Sequence, residues 1–120
     1  MKKLILLSIL LIVGCWMDAD LNGFNDASFH GDINSVKRLL IEGADVNGKG
    51  WDGDTPLANA IRGEHTEIII LLLMKGADIN NKFVMNAIYG SEKRHNKEIW
   101  NILCKYGNEY SCNLDGRSSW

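Results

Sequence analysis

At 120 residues the chain has room for one modest domain with a single hydrophobic core. Charged residues make up 23 % of it and hydrophobic residues 46 %, as in ordinary globular domains, although an apolar N-terminal segment raises the second figure. The formal net charge is −2, and loss of Lys2 and Lys3 by processing would make it more negative. No basic surface is therefore expected to attract nucleic acid, and no nucleic acid partner is expected.

The first fifteen residues have the three parts of an export signal. Two lysines precede an apolar run from Leu4 to Val13, and a small residue precedes Cys15. The run has ten residues, about half of the roughly 20 that a membrane-spanning helix needs. The alternative, a buried core helix, would carry polar residues along one face, whereas Ser8 alone interrupts this run.

Residues 12–15, Ile-Val-Gly-Cys, resemble the lipobox of bacterial lipoprotein precursors. The resemblance implies that residues 1–14 are a signal peptide, that Cys15 is the lipidation site, and that residues 15–21 tether the rest of the chain. Each buried methylene contributes about 0.8 kcal/mol, so two or three acyl chains would hold the protein on a membrane. We therefore expect a lipid-anchored protein of the bacterial cell envelope. Trp16, where inner-membrane lipoproteins carry Asp, slightly favours the outer membrane.

The remainder of the chain repeats itself with an offset of 33 residues. Residues 27–47 align on residues 60–80, and the sequence Gly-Ala-Asp-Val-Asn returns as Gly-Ala-Asp-Ile-Asn. This period, together with the Gly-Asp-Thr-Pro-Leu start of the second unit at residues 53–57, resembles the ankyrin repeat family. The resemblance implies an all-α repeat fold, a short ankyrin-repeat solenoid of about three helix-turn-helix units with hairpin loops.

The expected ankyrin-repeat domain covers residues 22–120, with units at about 22–49, 50–82 and 83–113 and a partial fourth start at 114–120. The third unit departs from the pattern, because it lacks the Thr-Pro-Leu start and because Ser91 to Asn96 are expected to lengthen the turn between its helices. The C-terminus is either a frayed cap or the sign of a product shortened from a longer parent.

Several positions in the second unit have a predicted structural role. Thr55 should cap the first helix with Pro56 at its first position, and Gly76 should end the second helix in a left-handed turn. Asn59 and its equivalent Asn86 fall on the first helices, where a buried amide would need hydrogen-bond partners in the backbone or in each other.

No catalytic or metal-binding constellation is evident in the sequence. The three histidines, His30, His65 and His95, are far apart and lack a second ligand at helical spacing. The ankyrin resemblance gives His65 a structural role in bonding neighbouring loops. We expect no enzyme activity, no cofactor, no metal and no small-molecule substrate. Cys104 aligns on core residue Leu73, and a disulfide with Cys112 is left open.

Ankyrin proteins bind partners through hairpin tips and the exposed, concave side of their first helices. The resemblance gives seven partner-binding candidates, which are Phe29, His30, Trp51, Asp52, Asp54, Arg62 and Tyr89. Aromatic residues and arginine dominate interface hot spots because they bury much area at low entropic cost. Phe29 and Tyr89 could equally cover the joint between repeats, whereas Trp51 has little core near it unless its tip folds back on a neighbour.

The sequence therefore predicts a membrane-anchored protein-protein interaction module that binds another protein of the envelope or periplasm. One alternative is an immunity or antitoxin-type inhibitor of an envelope toxin, for which the acidic charge would suit a basic toxin. A second alternative is a shortened relic of a longer ankyrin protein.

Overall fold

The computed structural model describes residues 22–94 and 96–106. Residues 22–30 are helical and form α1. The following helices are α2 (Ile33–Ile41), α3 (Pro56–Arg62), α4 (Thr66–Met74), α5 (Lys82–Lys93) and α6 (Lys97–Tyr106), and the described residues contain no strand. The predicted signal peptide, Cys15, the tether, His95, Cys112 and the partial fourth unit lie outside this part of the chain.

The helices stack in two layers. In the layer of first helices α3 packs against α5, and in the layer of second helices α4 packs against both α2 and α6. Contacts between α3 and α4, and between α5 and α6, hold the second and third units together. The expected all-α repeat solenoid is thus confirmed, and its core lies between the two layers.

One hydrophobic cluster runs through all the repeats, from Phe24 in α1 to Leu103 in α6. Ala60 is fully buried in the middle of α3, and the neighbouring helix can approach closely there because the side chain is a single methyl group. Fully burying a large aliphatic side chain contributes about 1.5–3 kcal/mol. Ile61, Ile69 and Leu72 are completely buried in this way, so the middle repeat anchors the stack.

The ends of the helices follow from local side-chain chemistry. Thr55 accepts a hydrogen bond from the backbone N–H of Ala58 over 3.3 Å, and Pro56 occupies the first turn of α3 as expected. Gly43 and Gly76 have φ of 93° and 88° immediately after α2 and α4. The left-handed turn predicted at Gly76 is therefore confirmed, together with its equivalent one repeat earlier.

The third unit differs from the expectation of a lengthened turn after its first helix. Its helix α5 has 12 residues where α3 has 7, and Ser91 lies inside it. The prediction that Ser91 opens a turn was wrong, because the helix continues to Lys93. Ser91 is buried within it, and its hydroxyl is satisfied by donating to the carbonyl of Ile88 over 2.7 Å. At its start, Asn81 accepts from the N–H of Phe83 over 2.8 Å, and α5 begins without a hairpin.

Two further expectations need correction. Asn86 is exposed and Asn59 is only half-buried, so neither is the buried amide that was expected. Their common position on the first helices faces away from the core. Cys104 is half-buried at the side of α6 and does not lie in the core as predicted. The disulfide with Cys112 stays a prediction.

None of the helices in the described part of the chain combines the length and the apolar content that crossing a bilayer requires.

Candidate interaction surface

The hairpin tip between the first two repeats is formed by residues 50–54 and is closed by its own backbone. Gly50 donates its N–H to the carbonyl of Asp54 over 2.9 Å, and Gly53 donates its N–H to the carbonyl of Gly50 over 3.0 Å. Gly53 has φ of 79°, a backbone conformation that costs a non-glycine residue about 1–2 kcal/mol. This tip 50–54 is therefore a compact turn with a defined shape.

Side chains from both neighbouring repeats hold tip 50–54 in place. From α1, the amide Nδ2 of Asn25 donates to the carbonyl of Asp54 over 3.3 Å. From α5, the ring of Phe83 lies so close to Gly53 that a Cβ there would sit 2.9 Å from two ring carbons. Within the tip's own repeat, the Asp54 carboxylate accepts a hydrogen bond from the Arg62 guanidinium as part of an ion pair.

Trp51 stands at the apex of tip 50–54 and is 91 % exposed. The Trp51 side chain does not fold back on a neighbouring repeat, so the indole covers no core within the described residues. Asp52 beside it is also exposed. The backbone below Trp51 is held on both sides, so the exposed indole sits on a fixed support.

A groove of about 220 Å³ runs between α1 and tip 50–54. Three carboxylates and three amides dominate its lining, which consists of Asn22, Asn25, Asp26, Phe29, Gly50, Asp52, Asp54 and Asn59. Of the seven partner-binding candidates, the groove brings together Phe29, Asp52 and Asp54. Arg62 joins them through its ion pair with Asp54.

Phe29 lines the groove, His30 lies next to it, and Tyr89 lies away from it. Phe29 is 44 % exposed and meets the His30 ring edge to face at 5.2 Å. The His30 Nδ1 donates to the carbonyl of Asp26 over 3.0 Å and lies 3.3 Å from that residue's carboxylate. Tyr89 is 47 % exposed on α5 and is not part of the groove lining.

Two polar side chains join the first and second repeats. His65 donates from Nε2 to the carbonyl of Phe29 over 2.9 Å, so its expected structural role is confirmed. Asn47 donates from Nδ2 to the carbonyl of Gly76 over 3.3 Å and accepts from the N–H of Asp78 over 2.7 Å. Among the described residues, no group of three or more histidine, cysteine or acidic side chains is placed to hold a metal ion.

Sequence reasoning missed the contribution of α1 to the groove, namely Asn22, Asn25 and Asp26. A signal for Asp26 was present, because the 33-residue offset places it at the position of Asn59. A polar residue at this point of successive first helices marks the side that faces the hairpin tips. Asn25 gave no such signal, since its contact with Asp54 spans 29 residues of sequence.

Comparisons with known proteins agree with this architecture. The family profile described as "Ankyrin repeats (3 copies)" matches residues 24–115. An ankyrin repeat protein of Rickettsia felis is 29 % identical over 105 residues, covering 78 % of this chain and 46 % of its own length.

Two mammalian relatives match over shorter shares of their length. The bovine "Ankyrin repeat and SOCS box protein 5" is 53 % identical over 51 residues, which cover 42 % of this chain and 15 % of that protein. A bovine "Mitochondrial disaggregase" is 29 % identical over 94 residues, or 78 % of this chain and 14 % of that protein. The chain thus spans less than half the length of these relatives. Three helical pairs and a matching three-copy profile place this chain in the ankyrin-repeat family, whose repeats form protein–protein interaction modules.

Proposed function

We propose that this chain is a membrane-anchored interaction module of the bacterial cell envelope, which binds a partner protein through tip 50–54 and the concave side of its first helices. In this proposal it catalyses no reaction. The observation that carries the proposal is Trp51, whose indole is 91 % exposed at the apex of a tip held from both sides.

An exposed tryptophan on a fixed support is suited to binding for two physical reasons. The indole offers roughly 150–250 Å² of surface to bury, with an N–H that can find a hydrogen-bond partner. A tip that is already ordered loses little conformational entropy on association, so more of the contact energy contributes to affinity. Phe29 and Tyr89, each about half exposed, extend the aromatic surface along the first helices.

The test is capture of a partner by the full chain, purified in mild detergent and immobilised, from an extract of the cell envelope. Captured proteins are identified by mass spectrometry, and the affinity of the identified partner is then measured. We expect Trp51→Ala to weaken that affinity about 30-fold or more, as truncation of a hot-spot residue does. The melting temperature should stay nearly unchanged because the indole covers no core in the described structure.

A matched control is Met74→Ala, which removes another exposed apolar side chain, 70 % exposed, at the end of α4 in the layer of second helices. This variant should keep full affinity. Equal affinity of both variants for the partner would contradict the proposed face. Loss of folding in Trp51→Ala would show that Trp51 supports the core, and a folded chain that captures nothing would contradict an envelope partner.

The membrane anchor is supported by the sequence at residues 12–15, which lie outside the described structure. Metabolic labelling of cells with a palmitate analogue tests it directly. Cys15→Ser should abolish the label and move the protein out of the membrane fraction, while Cys104→Ser, at a half-buried cysteine of α6, should leave both unchanged. A label retained in Cys15→Ser would contradict the anchor.

A second candidate function is inhibition of a basic envelope toxin, favoured by the three carboxylates of the groove beside tip 50–54. An inhibitor of this kind should be encoded beside its toxin gene and should protect cells that express the toxin. Absence of protection by the folded chain against the neighbouring gene product would contradict this candidate.

A further inference from the structure

The groove between α1 and tip 50–54 is lined by acidic and amide side chains. Asp26, Asp52 and Asp54 contribute carboxylates, and none of the lining residues is basic. Three bases lie nearby: Arg62 is paired with Asp54, His30 lies against Asp26, and Lys49 precedes Gly50 in the chain. Among the described residues Asp52 forms no ion pair, and Asp26 is paired only with His30.

Asn25 supplies a second, independent observation in the same groove. Its side chain lines the groove and the residue is only 8 % exposed. The Nδ2 donates to the carbonyl of Asp54, whereas the buried Oδ1 has no hydrogen-bond partner among the described residues. A buried acceptor without a donor costs about 1–3 kcal/mol, so Asn25 adds one unsatisfied acceptor to the three carboxylates of the groove.

The lining also indicates which kind of cationic group would fit the groove. No three acidic or histidine side chains of the described residues are placed to hold a metal ion, which argues against a bound cation of that kind. A guanidinium group instead brings five N–H donors in a planar fork that matches carboxylates and amides. Its flat face also stacks on aromatic rings, and Phe29 lines one side of the groove while exposed Trp51 stands beside the other.

We propose that the groove formed by α1 and tip 50–54 receives a basic side chain, an arginine, of the partner protein. This inference rests on the proposed function and adds to it the chemical character of the partner's contact. Asp26 and Asp52 bind the guanidinium, and the Asn25 amide fixes the tip that carries Trp51. The partner is thereby selected by charge at the groove and by apolar contact at the indole.

The test uses capped tripeptides, since the partner itself is unidentified. The full chain in detergent is labelled with ¹⁵N and titrated with acetyl-Gly-Arg-Gly-amide and, in parallel, with the citrulline peptide, which has the same shape without charge. The four tryptophan indole signals report on binding, with that of Trp51 assigned through Trp51→Phe. We expect a saturable shift of the Trp51 signal with the arginine peptide and none with the citrulline peptide.

Neutral isosteres then locate the charge. Asp52→Asn should weaken binding of the arginine peptide by up to about fivefold, the upper end for a single exposed ion pair, and the double variant with Asp26→Asn should weaken binding further. Glu42→Gln, an exposed acid at the end of α2 and outside the groove lining, is the matched control and should change nothing. Equal binding of the citrulline peptide, or equal effects of Asp52→Asn and Glu42→Gln, would overturn the inference.

The same variants separate this inference from the proposed function. If Trp51→Ala loses the partner but the double variant Asp26→Asn, Asp52→Asn binds it fully, the proposed interaction module is supported and the arginine contact is contradicted. A partner weakened by both changes supports the two together. A chain that captures no partner contradicts the proposed function whatever the peptides do.

Discussion

The imidazole of His65 joins the middle repeat to the first one by donating from Nε2 to the carbonyl oxygen of Phe29 over 2.9 Å. His65 stands at the start of α4, yet its side chain does not cap that helix. Two glycines make room for the ring, because a Cβ at Gly31 or at Gly63 would lie 2.5 Å or 2.6 Å from a ring atom. The end of α1, which carries Phe29 into the groove, is therefore held by the second repeat.

This relationship predicts that His65→Ala lowers the free energy of unfolding by about 1–2 kcal/mol, through the lost hydrogen bond and lost packing. Urea denaturation followed by circular dichroism measures it. Because the bond runs through Nε2, His65→Gln can place a donor at a similar position and should recover part of the loss, whereas the shorter His65→Asn should not. Equal losses in the Gln and Asn variants would show that ring packing, not the hydrogen bond, is what stabilises the joint.

A second joint is made by Asn47, whose amide bonds to both the Gly76 carbonyl and the Asp78 N–H of the next repeat. We expect Asn47→Ala to cost about 1 kcal/mol, since each such exposed hydrogen bond contributes modestly. The matched control is Asn80→Ala at the same place one repeat later, for which the described residues show no equivalent bridge by the side chain. Denaturation curves of the two variants that coincide would contradict a bridging role for Asn47.

The support of tip 50–54 can be tested at Gly53. An alanine there would meet the Phe83 ring at 2.9 Å and would have to adopt φ near 79°, so Gly53→Ala should destabilise the chain by about 1–2 kcal/mol. It should also weaken partner binding by displacing Trp51. Gly23→Ala, which adds a Cβ in open space on α1, is expected to be neutral or stabilising by up to about 1 kcal/mol. An unchanged melting temperature in Gly53→Ala would mean that the tip is not fixed by these contacts.

The features that the sequence predicted correctly are those with a local or a periodic cause. Thr55 and Gly76 act on their own backbone, and a side chain of the right type at the right place is enough to predict the helix end. His65 was predicted because its place in the repeat defines its neighbour.

The features that the sequence did not predict depend on a choice between two local structures or on contacts between residues far apart in the sequence. Ser91 is a residue type that suits turns, but here it lies inside α5, buried and with its hydroxyl bonded to the Ile88 carbonyl; residue type alone does not distinguish the two outcomes. The groove depends on Asn25 reaching Asp54, and on Phe83 reaching Gly53, across different repeats. Such contacts are set by how the repeats stack, and here the third repeat lacks a hairpin of its own.

The start of α2 gives a prediction that depends on pH. Asp32 precedes this helix, and its carboxylate accepts hydrogen bonds from the Ser35 hydroxyl over 2.6 Å and the Ser35 N–H over 3.1 Å. The hydroxyl of Ser35 in the first place, and its N–H in the second, hold the pKa of Asp32 below its ordinary value. Because the folded state prefers the carboxylate, this stabilisation is present above the ordinary pKa and is lost as the pH falls through the folded value.

We therefore expect the chain to lose stability below about pH 4, and to lose less of it in Asp32→Asn, which still caps α2 but does not ionise in this range. Ser35→Ala removes the largest cause of the shift, so it should raise the pKa of Asp32 toward its ordinary value and make the acid-dependent loss of stability smaller. Urea denaturation between about pH 2 and pH 7, with an NMR titration of the Asp32 carboxyl, measures both effects. A stability difference between the chain and Asp32→Asn that stays constant over this range, or an unmoved titration in Ser35→Ala, would contradict the role given to the Ser35 hydroxyl.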